Sequence, residues 1–168
     1  MDDPVDRALA DWRRERPDLD VTPLAVIGRL KRATEGIVDG LERYFASHGL
    51  SLADFEILAA LRRSGAPYRI TQRELGERVM RTPGTITTRI DRLSREGLVE
   101  RRPHPEDRRS ALVGLTRRGD ALFERVVAGH LDNERRLLRG LRRTEQRTLA
   151  QLLAKLIDGL EDGAREST

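Results

Sequence analysis

The sequence predicts a mainly α-helical chain: a winged helix-turn-helix with a two-stranded β wing, flanked by N- and C-terminal dimerisation helices. Three observations predict it. Two short amphipathic helices meet at a tight corner within residues 71–96. Two β-prone runs follow, separated by proline-containing turn residues. Longer helical patterns stand at both ends of the chain.

Residues 2–16 read as a short polar helix bearing Ala8, Leu9 and Trp12, interrupted by Pro17. Thr22 is placed to cap the next helix, with Pro23 at its first position. Leu24, Ile27, Leu30, Ile37, Leu41 and Phe45 then recur at helical spacing, and Gly49 closes the segment. Ser51 opens a third helix, with Asp54 inside its first turn, where acidic charge is favoured. Its apolar stripe is Phe55, Leu58 and Leu61, and "RRSGAPY" ends it.

Thr71 and Glu74 have capping-box spacing at the start of a short helix, Gln72–Met80, with Leu75 and Val79 on one face. Thr82 as N-cap and Pro83 as first residue open the second helix of the pair, which Gly97 terminates. Ile86, Ile90 and Leu93 are its inward stripe. "LVERR" and "SALVGLT" form the wing, with "PHPEDR" as the turn. Two long helices close the chain, one over about Arg118–Leu141 and one from near Thr144. The expected organisation is N-terminal helices over 1–47, the winged module over 51–116 and C-terminal helices over 117–168. The last helix carries more leucine than one face needs, which points to a homodimer. A self-contained bundle is the alternative.

Composition narrows the function. The 168 residues contain no cysteine, which excludes disulfides, thiolate metal sites and cysteine nucleophiles. The three histidines, His48, His104 and His130, show no metal spacing. No serine-histidine-aspartate pattern or phosphate-binding glycine loop is present, so neither an enzyme nor a cofactor is expected. No segment approaches a membrane span, and the N-terminal stretch does not read as a signal peptide; the expected location is cytoplasmic. Residues 1–70 hold 11 basic and 12 acidic groups, 71–119 hold 12 and 7, and 120–168 hold 9 and 9. The basic surplus therefore sits in the predicted winged module, as a polyanion-binding surface requires. The same charge also fits a solvated arginine-rich face.

The chemistry of that module fits double-stranded DNA. With Ile86 and Ile90 turned inward, the start of the second helix (residues 82–96) offers Thr82, Pro83, Gly84, Thr85, Thr87, Thr88 and Arg89. Small, hydroxylated and basic residues permit close approach, bonds to phosphate or base edges, and contact with thymine methyls. In the wing, residues 101–113, His104 is placed to touch phosphate. Arg108 or Arg109 can enter a narrow minor groove, oriented by Asp107. The bland alternative for this triplet is an exposed salt bridge worth under about 1 kcal/mol.

"TQRELGERV", "TPGTITTRIDRLSREGLVERR" and "DRRSALVGLTRRG" resemble the winged-helix regulators of the multiple antibiotic resistance regulator (MarR) family. The resemblance implies a homodimeric transcription factor, a repressor, that binds a palindromic promoter site and is released by a small anionic ligand. A narrower resemblance, carried by the helix with Trp12, by "LRRSGAPYRIT" and by "TTRIDRL…GLVERR", is to the urate-responsive (UrtR-like) subgroup. It implies a ligand set of Trp12, Arg89, Arg101 and an acidic residue. That acid is Glu56 in "FEIL", where the subgroup carries aspartate, or alternatively Asp54. Two arginines neutralise an anion and an indole supplies a flat wall. The competing reading is that Trp12 staples the first helix to the body while Arg89 contacts phosphate. The remaining alternatives are a ligand-independent constitutive or architectural regulator, and a winged-helix protein-interaction module.

Overall fold

The computed structural model describes residues 3–79, 83–105 and 111–166. The elements are α1 (Pro4–Glu15), α2 (Thr22–Ala46), α3 (Leu52–Arg63), β1 (Arg69–Thr71), α4 (Gln72–Arg78), α5 (Pro83–Arg95), β2 (Val99–Pro103), β3 (Ala111–Leu115), α6 (Arg117–Leu137) and α7 (Arg143–Glu166). The chain divides into two compact units, residues 1–130 and 131–168.

In the first unit the predicted stripes of α3, α4 and α5 form one core with Phe45 of α2, whereas Leu24, Ile27 and Ile37 of the α2 stripe are exposed. Leu58 and Leu61 of α3, Leu75 of α4, and Ile86, Ile90 and Leu93 of α5 are each fully inaccessible to solvent. Phe45 stacks on Phe55 at 4.5 Å between ring centroids, joining α2 to α3. Because three side chains of α5 are fixed in this core, its opposite face is obliged to point outward.

The caps are the predicted ones at α3 and α4. Asp54 and Glu74 each occupy the third helical position and return a carboxylate to the N-cap amide of Ser51 and Thr71. At α2 the cap differs: Val21 is the N-cap, without a side-chain bond. The Asp20 carboxylate instead accepts the Thr22 amide at 3.0 Å. An aspartate ahead of the helix thus satisfies one of the orphan N–H groups of its first turn. The N-cap expected at Thr82 lies outside the described residues.

Gly97 ends α5 at φ +69°, and the Leu98 amide returns to the Leu93 carbonyl at 2.9 Å, a Schellman closure. That turn is then strapped to α6. The Thr116 hydroxyl donates to the Gly97 carbonyl at 2.7 Å, and the Gly119 amide donates back to that hydroxyl at 3.0 Å. Gly119 lies so close to the Leu98 carbonyl that any Cβ would collide with it. The "LTRRG" segment thus fixes where the wing ends relative to α5.

The wing strands β2 and β3 pair antiparallel, with Arg101 opposite Val113 and Pro103 opposite Ala111. A third strand, β1, was not expected. It pairs with β3 through Ile70 opposite Val113, giving the order β1-β3-β2. Only Ile70 of its three residues is buried, so it has too little alternation to register as a strand by pattern. No helix among the described residues is long and apolar enough to cross a membrane.

In the second unit α7 carries Leu152, Ile157 and Leu160 at 61%, 53% and 65% exposure. Monomeric proteins rarely leave such a row uncovered.

The α4 cap gives a pH test. The Thr71 hydroxyl, and after it the Thr71 amide, hold the Glu74 carboxyl below its ordinary value of 4.5. A lowered folded-state value means stability that is present above pH 4.5 and lost as pH falls through the folded value. Glu74→Gln should therefore flatten the acid limb of urea stability measured between about pH 5 and 3, the range this linkage spans. An unchanged limb would show that the box contributes no proton linkage.

Candidate nucleic-acid interface

The interface is built on α5. Its inward residues leave Thr85, Thr87 and Thr88 exposed. Pro83 and Gly84 form the first turn, where free backbone N–H groups favour an anion. Thr87 also accepts a bond from the Gln72 side-chain amide of α4 at 2.7 Å, which ties the two helices of the motif together. His104 is half-buried just beyond β2. Thr82, Asp107, Arg108 and Arg109 lie outside the described residues.

Asp54 is the electrostatic centre of this surface. Its side chain is fully buried, yet it is a carboxylate. One oxygen accepts the Ser51 amide at 2.7 Å and also meets the Ser51 hydroxyl and the Arg92 guanidinium. The other faces Arg89 Nη1 at 3.4 Å, and the same nitrogen donates to Ser51 Oγ at 3.0 Å. A buried carboxylate is tolerable only with such partners. The cap of α3 therefore doubles as the anchor for two arginines of α5.

Sequence reasoning found Asp54 as a cap and as the second choice for an acidic ligand residue. It did not find Arg92. The available signal was spacing: Arg92 stands three residues after Arg89 and so shares its face of the helix.

Above this anchor is a cavity of about 480 Å³. It is lined by Ser51, Thr85, Thr88, Arg89, Arg92 and Arg95. Three guanidinium groups and three hydroxyls surround it, and Asp54, the carboxylate beneath, is already engaged. That donor set suits an anion with more than one acceptor oxygen.

The expected ligand residues fall in separate places. Arg89 lines the cavity just described. Trp12 lines a second cavity, of about 380 Å³, between α1 and α2. Arg101 on β2 pairs with Asp91 of α5, so the wing strand is tied to the reading helix. Glu56, half-buried on α3, lines neither of these two cavities. The carboxylate that meets Arg89 is Asp54. At the wing base Arg102, and behind it Arg69, hold the Glu100 carboxyl below its ordinary range.

A core-anchored reading helix preceded by a capped helix and followed by a β hairpin defines a winged-helix DNA-binding protein. Comparison with known proteins gives the family. The model of the MarR family matches residues 50–111. The transcriptional regulator PecS of Dickeya dadantii is 45% identical over 134 residues, covering 80% of this chain and 81% of its own length. The fold of an Escherichia coli MarR variant complexed with operator DNA superposes with a TM-score of 0.70 at 30% identity, covering 86% of this chain and 96% of that one. BpsR of Bordetella bronchiseptica, whose structure concerns regulation of DNA binding by 6-hydroxynicotinic acid, superposes at 0.70 with 28% identity, over 78% and 97% of the two chains. The chain belongs to the MarR family of DNA-binding transcriptional regulators. Its relatives are regulators and not enzymes.

The Arg101–Asp91 pair is about one-third to one-half exposed on its two sides. Asp91→Ala should therefore leave global stability within about 1 kcal/mol. It should still speed amide hydrogen exchange in residues 99–103, because the strand loses its tie to α5. Unchanged exchange there would mean the pair does not hold the wing.

Proposed function

We propose that the protein is a repressor that binds a palindromic promoter site as a homodimer and is released by a small anionic ligand. The observation that carries the reading is the double role of Arg89. It sits on the exposed reading helix beside Thr85 and Thr88, and it is held from below by buried Asp54. An anion entering the three-arginine cavity competes with Asp54 for Arg89. It thereby biases the seat of α5, and with it DNA affinity. By linkage, DNA weakens ligand binding by the same factor.

Other features support the parts. The exposed leucine row of α7 fits a dimer contact, and a dimer presents two reading helices to a two-fold site. The basic surplus of residues 71–119 fits phosphate contacts, with the wing arginines Arg108 and Arg109, oriented by Asp107, placed in the flanking minor groove. Thr82, Pro83 and Gly84 join Thr85, Thr87 and Thr88 at the major groove, and His104 reaches phosphate. The urate-responsive subgroup is the finer reading of the ligand. Trp12, Arg89 and Arg101 match its set, with Glu56 or Asp54 as the acid. Of these, Arg89 and Asp54 meet within one chain.

Footprinting on genomic DNA tests this directly. The reading predicts two-fold protected sites, binding that weakens steeply with salt through counterion release, and loss of protection on adding urate or 6-hydroxynicotinate. Substituting Thr85 and Thr88 with valine should change base preference more than non-specific affinity. Salt-independent binding, or equal loss on all DNA in the threonine variants, would contradict it.

A further inference from the structure

Gln72 opens α4, yet its side chain ends on α5. Its amide nitrogen donates to the Thr87 hydroxyl oxygen at 2.7 Å, and Thr87 is exposed on the reading helix. The backbone of Gln72 has little freedom. Thr71, immediately before it, pairs with Leu112 of β3 and closes the capping box with Glu74. Leu75, three residues on, is fully buried. The sheet, the cap and the core therefore fix where this side chain starts, and Thr87 fixes where it ends.

The bond uses part of what the amide offers. A glutamine side chain carries two N–H donors and one acceptor oxygen. One N–H goes to Thr87, and the side chain makes no other hydrogen bond to the described residues. A donor and an acceptor on one planar group are left at the edge of the reading face. In the major groove adenine alone shows an acceptor and a donor together, N7 and the 6-amino group. Guanine shows two acceptors, cytosine a donor and thymine an acceptor. Neither Gln72 nor Thr87 lines the arginine cavity. They occupy the flank of α5 that turns toward α4.

We infer that Gln72 is a base-reading residue, contacting adenine in the major groove through its second N–H and Oε1, with Thr87 as its positioning residue. This role rests on α5 as the groove-reading helix and is independent of the ligand. It adds a specificity determinant from the first helix of the motif.

The test is competition binding of the full-length protein on a footprinted DNA site, with each base pair replaced in turn. Replacing the adenine that Gln72 reads should cost the wild type at least about fivefold in affinity. Gln72→Ala should lose discrimination at that position and keep it at the others. 7-Deazaadenine there, which lacks only the N7 acceptor, should weaken the wild type and leave Gln72→Ala unaffected. Gln72→Glu, whose carboxylate only accepts, should shift the preference at that position toward cytosine. A variant that had simply lost its fold could not gain a preference. Thr87→Val should reduce discrimination at the same position. Equal loss on all sequences in Gln72→Ala, as a bond that only ties α4 to α5 would give, overturns the role. So does an unchanged base profile, or 7-deazaadenine interference that persists in Gln72→Ala. If valine at Thr85 and Thr88 alters the profile while the Gln72 variants do not, only the role of Gln72 falls. If neither does, the reading of α5 falls with it.

Discussion

A carboxylate with no solvent access, held by two arginines from another helix, is the constraint on which the reading surface depends. Asp54 must keep its charge partnered, because an unpartnered buried carboxylate costs several kcal/mol. Its partners are an amide and a hydroxyl from its own cap and the guanidinium groups of Arg89 and Arg92. The apolar contacts of Ile86, Ile90 and Leu93 fix which face of α5 is inward but not how the helix is seated along α3. Hydrophobic contact is non-directional, whereas a charge-assisted bond is not. The Asp54 clamp supplies the directional element.

In the proposed mechanism the clamp also links recognition to regulation. Arg89 points to the same cavity as Thr85 and Thr88, so whatever neutralises Arg89 changes the surface those threonines present. The wing is attached to the same helix through Arg101 and Asp91 and to the α5 turn through Thr116 and Gly97. A shift of α5 would thus be passed to the wing. The cavity, the reading face and the hairpin form one connected device in the first unit of the chain.

Much of this was legible in the sequence because it rests on local rules. Capping-box spacing located α3 and α4, glycine after the last apolar position located the end of α5, and the period of Ile86, Ile90 and Leu93 assigned its faces. What was not legible depends on residues far apart in the chain. Strand β1 exists because β3 pairs with it, and three residues carry no pattern of their own. Arg92 matters because α3 brings Asp54 beneath it, 38 positions away in sequence. Trp12, Glu56 and Arg101 read as one set with Arg89, but α1, α3, β2 and α5 hold them at different places within a chain. Capping of α2 differed for a smaller reason: Val21 stands at the N-cap and Asp20, two residues before Thr22, accepts the Thr22 amide.

The central claim is that Asp54 and Arg92 act as a coupled pair that seats the reading helix. The most direct measurement is a double-mutant cycle of Asp54→Asn and Arg92→Met, read as urea stability and as affinity for a footprinted DNA site. The account predicts that the two substitutions are strongly non-additive, with a coupling of at least about 1 kcal/mol in both readouts. Additive losses, or a coupling that affects stability and leaves DNA affinity untouched, would contradict it.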